Sequence, residues 1–214
     1  TTIKSLAHEL AEQGDDRAMV IEEEADRLTR FVSDLLDLSS IASGIPLDIQ
    51  PNEAEDLLGA VVQRVTGRLE GRELRVHHDK GEAILIGRFD FAQTLRALAN
   101  MVENAVKYSP AGAPVDLGVH RAGESLAFTV SDRGPGVPAE ERERIFEPFY
   151  RRGDARRDPR SGTGLGLSIA RGIALAQRGA LTCEARDGGG STFTLLVPAM
   201  DFSALATTSP TVRA

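Results

Sequence analysis

Four short segments, weak when met singly, together limit what this chain can fold into. They are Asn100-Met101-Val102-Glu103-Asn104-Ala105-Val106-Lys107-Tyr108, Asp132-Arg133-Gly134-Pro135-Gly136, Phe146-Glu147-Pro148-Phe149-Tyr150 and Gly162-Thr163-Gly164-Leu165-Gly166-Leu167-Ser168, in that order. Each needs a flanking element to hold it. Apolar spacing predicts a helix from about Asp90 to Tyr108, alternation predicts a strand over Leu126–Asp132 running into the second segment, and a helix over about Gly164–Arg178 opens on the fourth.

The remaining elements fit around these. Leu47-Asp48-Ile49-Gln50 alternates like a strand, and Asn52 with Glu55 has the pattern of a capping box opening a helix through about Thr66. Strand-like pieces follow near 73–77 and 83–86. Val115–His120 pairs with Leu126–Asp132 through Ala122-Gly123-Glu124, and Leu181–Ala185 with Thr192–Val197 forms a further hairpin. Helices segregated from a largely antiparallel sheet predict an α+β fold, a two-layer α/β sandwich.

Ahead of the sandwich, residues 1–43 read as an antiparallel helical hairpin. Ile3, Leu6 and Leu10 share a face of the first helix, and Gln13-Gly14-Asp15-Asp16 makes the turn. From Arg17, Ile21, Ala25, Leu28, Val32 and Leu35 recur at 4-3-4-3 spacing, the seam of a coiled coil or helix bundle. Two helices cannot enclose such a core, so the hairpin is expected to form a homodimeric four-helix bundle, which light scattering would register as a dimer. Ser43-Gly44-Ile45-Pro46 ends the helix. The expected domains are therefore 1–43 for dimerisation, 44–198 for the sandwich, and 199–214 as an aperiodic tail that frays.

Charge and cysteine usage narrow the setting. A net charge of −7 with a pI near 5.2 argues against nucleic acid or an anionic membrane as the main partner. Locally the balance reverses: Arg151 to Arg160 holds five Arg against two Asp, a net +3. A single cysteine, Cys183, cannot form an internal disulfide and sits in a strand-like run, which reads as a core thiol in a reducing compartment. No apolar run approaches the roughly 20 residues that span a bilayer. The expected location is cytoplasmic, with any membrane link made through sequence not present here.

The four segments carry compatible chemistry. At about 100° per residue, Asn100, Asn104 and Lys107 fall within roughly 60° of one another, opposite Leu95, Leu98, Val102 and Val106. An Asn carbonyl oxygen suits Mg²⁺, Lys107 suits phosphate, and Tyr108 at about 80° could flank a base. Asp132 after its strand can accept a hydrogen bond from an exocyclic amine, as adenine offers at N6, while Gly134 and Gly136 let backbone approach closely. The fourth segment opens a helix whose free N–H groups can face an anion, and the basic loop before it can fold over a triphosphate with Arg151 or Arg152 on the terminal phosphates. Taken alone, a solvated polar helix face, an Asp-containing turn and a solvated basic loop account for the same residues. In sequence they make the parts needed to hold Mg-ATP.

In order and spacing the segments resemble the N, G1, F and G2 boxes of the sensor histidine kinase catalytic domain, and Gly188-Gly189-Gly190-Ser191-Thr192-Phe193 resembles its terminal G3 element. The resemblance covers about residues 47–198 and implies the ATPase fold shared with gyrase and Hsp90; the helical hairpin before it looks like the family's dimerisation domain. Gyrase, Hsp90 and MutL relatives share the Asn helix and the Asp-Gly-x-Gly turn but lack the Phe-Glu-Pro-Phe-Tyr flap. By that resemblance Asn104 ligates Mg²⁺, with Asn100 and Lys107 near the phosphates and Arg151 as the flap cation, while Glu103 either assists proton handling or is solvated beside the metal site. Tyr108 packs by adenine, Asp132 binds its N6 amine, Gly134, Gly136, Gly162, Gly164 and Gly166 shape the pocket together with Thr163, Leu165 and Leu167, and Thr192 supports the Asp132 side. ATP and Mg²⁺ are the implied cofactors, and a response regulator receiver domain is the implied partner.

One departure matters. The family's acceptor lies in a His-Glu/Asp-x-Arg-Thr/Asn-Pro-like motif, and none of His8, His77, His78 and His120 stands in one; His8-Glu9-Leu10 continues as Ala11-Glu12-Gln13. The expected acceptor therefore lies upstream of Thr1, and the chain alone is not expected to phosphorylate itself. The other reading is a nucleotide-binding regulatory dimerisation module without phosphotransfer.

Overall fold

The computed structural model describes residues 16–44, 46–78, 84–151 and 163–200. The chain divides into two compact units between Ser43 and Gly44. In the first, a 27-residue helix α1 spans Asp16–Ala42. Its seam residues Ile21, Leu28, Val32 and Leu35, with Val20 and Leu36 beside them, are exposed. The first helix of the expected hairpin, with His8, lies outside the described residues. Gly44, at φ +81°, takes the left-handed conformation just past the helix end.

The second unit is a five-stranded sheet with helices on one face. Its elements are β1 (Gln50–Glu53), α2 (Ala54–Val65), β2 (Leu74–His78), β3 (Ile86–Phe89), α3 (Phe91–Tyr108), β4 (Val115–Ala122), β5 (Ser125–Ser131), α4 (Gly166–Ala176), β6 (Ala180–Ala185) and β7 (Ser191–Pro198). The large sheet runs β2-β4-β5-β7-β6, and β1 pairs with β3 in a separate antiparallel ribbon. All pairings in the large sheet are antiparallel except β2 with β4. The expected two-layer α+β sandwich is the fold observed.

Strict alternation decides which face is covered. Val115, Leu117 and Val119 of β4, Leu126, Phe128 and Val130 of β5, Phe193, Leu195 and Val197 of β7, and Leu181 and Cys183 of β6 are buried. Their cross-strand register places them on one face. Against that face lie Leu57, Leu58 and Val61 of α2, Leu98, Met101 and Val102 of α3, and Ile169 and Ile173 of α4, all nearly inaccessible to solvent. Phe89 meets Phe128 edge to face at 5.9 Å. The other face carries Arg75, His77, Asp116, Ser131 and Thr192.

Polar contacts set the two helices that matter most. Asp90 caps α3, its Oδ1 accepting from Gln93 N at 2.9 Å, while its Oδ2 accepts from Asp48 N at 3.0 Å. The buried Gln177, at the end of α4, accepts from Asp90 N at 2.6 Å and donates to Thr94 Oγ1 at 3.2 Å. The start of α3 and the end of α4 are thus tied through groups whose burial would be costly unpaired.

Three local expectations are corrected. The first strand is Gln50–Glu53 rather than 47–50, with Pro51 tolerated because β1 has only one partner strand. The capping box does not form: Glu53 is the cap of α2 and makes no side-chain cap bond, and Asn52 Nδ2 donates instead to Phe89 O at 2.8 Å. The strand expected at 83–86 starts at Ile86. Within α2, Gly59 has nothing within 4 Å of the place a Cβ would occupy. Gly59→Ala should therefore stabilise the unit by about 0.5–1 kcal/mol, checked by urea unfolding.

Candidate functional site

Helix α3 carries the first set of groups. Its polar stripe follows from the spacing of Asn100, Asn104 and Lys107, while Ala97, Leu98, Met101, Val102, Ala105 and Val106 are buried. Asn100 and Asn104 are half-buried and Lys107 is exposed. With a rise of about 1.5 Å per residue, Asn100 and Tyr108 stand roughly 12 Å apart along the axis. Lys107 Nζ lies 4.8 Å from the centroid of the Tyr108 ring. Glu103 forms an ion pair with Arg68, a contact between residues 35 apart that the sequence does not announce.

Two loops close on this stripe, one at each end. At the Asn100 end, Asn100 Nδ2 donates to Gly166 O at 3.2 Å, and a Cβ on Gly166 would touch the Asn100 side chain at 3.8 Å. This brings the first turn of α4 against the stripe. The cap residue Leu165 makes no side-chain cap bond, so the leading N–H groups of α4 are not taken by a side chain of that residue. Leu165 itself is wholly buried and anchors the helix start, with its N–H donating to Thr163 Oγ1 at 3.2 Å. Leu167 is half-buried.

At the Tyr108 end, the Asp132 loop wraps the helix terminus. A Cβ on Gly134 would sit 2.7 Å from Tyr108 O, so only glycine allows that approach. Arg133 N donates to Ser109 Oγ at 3.2 Å. Asp132 is buried, and both of its backbone donors, Gly134 N at 2.7 Å and Ser191 N at 3.3 Å, go to Oδ1. Among the described residues Oδ2 takes no hydrogen bond. Burial raises the Asp132 carboxyl above the ordinary aspartate value, opposed by the Gly134 and Ser191 N–H groups and by the Arg186 charge.

Behind this loop, Gly136 at φ +74° packs against Gly190 O, and Gly190 packs on the Asp132 carbonyl. Thr192 Oγ1 shares a hydrogen bond with Ser131 Oγ at 2.8 Å on the sheet face away from the helices. It braces the strand pair rather than lining the space beside α3. Cys183 is buried, its thiol pushed up to about 11 by that burial, as expected for an unreactive core residue.

The aromatic step folds into short helical turns. Phe146 is buried and meets Phe193 edge to face at 6.5 Å, while Arg171 of α4 lies 5.0 Å over the Phe146 ring and pairs with Glu143 at 3.0 Å. Phe149, at φ +64°, donates its N–H to Gly164 O at 3.1 Å. A Cβ on Gly164 would lie 3.0 Å from Tyr150 O, so this glycine holds the two ends of the basic loop together. Arg151 is half-buried at the loop's start. Arg152 and Gly162 lie outside the described residues.

Thus Asn100, Asn104, Lys107 and Tyr108 lie along one stripe of α3, with Gly166 against its Asn100 end and the Asp132–Gly134 loop against its Tyr108 end. Sequence reasoning missed Ser109, Ser191 and Arg186, all of which hold the Asp132 loop across long separations.

Similarity to known proteins agrees with this layout. Residues 90–201 match the family described as histidine kinase-, DNA gyrase B-, and HSP90-like ATPase. Sensor-like histidine kinase SenX3 of Mycobacterium tuberculosis is 33% identical over 180 residues, covering 83% of this chain and 43% of SenX3. Sensor protein KdpD of the same organism is 37% identical over 180 residues, covering 80% and 20%. The chain therefore spans less than half the length of these relatives. Among solved structures, full-length ShkA in complex with AMPPNP superposes with a TM-score of 0.72 at 28% identity, over 86% of this chain and 38% of ShkA. This chain belongs to the histidine kinase-, gyrase B- and HSP90-like ATPase family, and it carries the ATPase domain of sensor histidine kinases.

Proposed function

We propose that the second unit binds Mg-ATP along α3 and transfers the γ-phosphoryl group to a histidine outside these 214 residues, for relay to a response-regulator aspartate. The observation that carries this reading is the enclosure of the Asn100–Tyr108 stripe between the Asp132 loop and the start of α4. Asp132 Oδ2 would accept the adenine N6–H, and Tyr108 would flank the ring. Lys107, Arg151 and the leading N–H groups of α4 would meet phosphate oxygens. No acid or nucleophile is required of this domain, because phosphoryl transfer needs positioning and charge neutralisation.

Mg²⁺ fits the donor set. Among the described residues no group of three or more His, Cys, Asp or Glu is placed to hold a metal. The half-buried amide of Asn104 is a hard oxygen donor of the kind Mg²⁺ takes alongside phosphates and waters. When bound, the ion would neutralise charge on the phosphates. Glu103, held by Arg68, would lie beside it.

The exposed stripe of α1 supports homodimerisation through a helix bundle. Among the described residues no helix is long and apolar enough to cross a membrane. A cytoplasmic location for this domain follows instead from the proposed use of ATP and relay to a response regulator.

The test mixes this chain with labelled ATP and a helical hairpin that carries an acceptor histidine motif. Acid-labile label on the added hairpin, with none on this chain, is the expected result. ATP-analogue binding with no label on either would favour the regulatory module. In the same assay Asn104→Ala should slow transfer by about 10- to 100-fold.

A further inference from the structure

On the open face of the sheet, behind the Asp132 loop, one carboxylate gathers two guanidinium groups and an imidazole. Asp116 of β4 has Oδ1 3.2 Å from His77 Nε2 and Oδ2 2.9 Å from Arg186 Nη2, with Arg133 Nη2 at 3.8 Å. Arg186 directs its other nitrogen, Nη1, to the Asp132 carbonyl oxygen at 3.3 Å. Its main chain also builds the glycine turn that packs on Asp132: Arg186 N donates to Gly190 O and Gly189 N donates to Arg186 O, both at 3.1 Å. Arg186 and Asp116 are both largely buried, so solvent screens this pairing less than it would a surface pair.

We propose that Arg186, anchored by Asp116, is a positioning residue for adenine recognition: it fixes the Asp132 peptide and with it the direction in which Oδ2 faces the base. The inference rests on the adenine role proposed above for Asp132. Two effects of the guanidinium combine. Its hydrogen bond holds the Asp132 carbonyl, and its charge favours the carboxylate form of a group that burial would otherwise drive towards protonation. A protonated Oδ2 would offer adenine N6 a poorer acceptor.

The other groups around Asp132 do not take over this role. Asp116 and His77 lie beyond Arg186, Arg133 is engaged towards Asp116, and Cys183 of β6 is a neutral thiol. Lys107 and Tyr108, at the end of α3, stand on the nucleotide side.

The experiment follows the Asp132 carboxyl by carbon NMR across a pH titration of the nucleotide-free chain, and measures ATP-analogue affinity in parallel. Arg186→Met removes charge and donor, Arg186→Gln keeps a donor, and Arg186→Lys keeps the charge. The Asp132 midpoint should rise in the Met and Gln variants and return towards the original in Lys. Affinity in Arg186→Met should fall by about threefold or more at neutral pH, and further on acidification. A midpoint unmoved in both Met and Gln variants, with ATP binding intact, overturns the role of Arg186 alone. An unsubstituted chain that binds no ATP, or an Asp132→Asn variant that binds it equally well, overturns the adenine reading and this inference together.

Discussion

Asp132→Asn should weaken ATP-analogue binding by about 30- to 1,000-fold, some 2–4 kcal/mol, while leaving the fold intact. Both backbone donors to this side chain go to Oδ1, which an asparagine retains. The substituted amide is therefore held in the same orientation, and its NH₂ replaces Oδ2. Adenine N6 is itself a donor, so two donors would face each other across a buried contact. The same substitution should lower the preference for ATP over GTP, because guanine presents an acceptor at that position. Stability should not fall: burial raises the Asp132 pKa, so the ionised form costs the folded state above that pKa, and the neutral amide removes the cost. Calorimetric titration with ATP and GTP analogues, beside a thermal melt, checks all three points. Unchanged ATP affinity in a folded variant would remove Asp132 from the site.

The same sign reasoning gives a pH dependence. If nucleotide binding uses the carboxylate as proposed, affinity should decline on acidification at a pH above that expected for an exposed aspartate. The profile of Asp132→Asn should lose that limb.

What could be read without the structure followed local periodicity. Asn100, Asn104 and Lys107 share a stripe because helical spacing puts them there, and apolar spacing already placed the start of α3 near Asp90. Asp132 was legible as a polar residue at a strand end before two glycines. The placement of β1 was not: Leu47 to Gln50 alternates better than Gln50 to Glu53, but Asp48 N is claimed by Asp90, and Asn52 by Phe89 O, both far along the chain. Long-range choices of this kind override local pattern. The support around Asp132 was hidden for the same reason. Arg186 and Asp116 are separated by 70 residues, and nothing local marks an arginine in a hairpin turn as a structural clamp. Glu103 was given a place beside the metal site by the resemblance alone, and its ion pair with Arg68 emerges only when the turn after α2 folds beside α3.

The glycine turn poses a sharper question, since three consecutive glycines do not say which one the fold needs. Gly188, Gly189 and Gly190 all have positive φ, at +82°, +98° and +99°. Only Gly190 is also crowded: a Cβ there would lie 2.1 Å from Asp132 O and 2.8 Å from its carbonyl carbon, both backbone atoms that cannot swing aside. Gly190→Ala should cost about 3–5 kcal/mol, lowering Tm by about 10 °C for a unit of this size. Gly188→Ala, with nothing within 4 Å of its Cβ position, bears only the left-handed backbone cost of about 1–2 kcal/mol. Because the obstructed atom is the Asp132 carbonyl, relief of the clash must shift the carboxylate as well. Whatever fraction of Gly190→Ala still folds should therefore bind ATP analogue more weakly than Gly188→Ala does. Coincident melting curves for the two variants would show that the turn does not bear on Asp132 and would take the brace of the proposed adenine site with it.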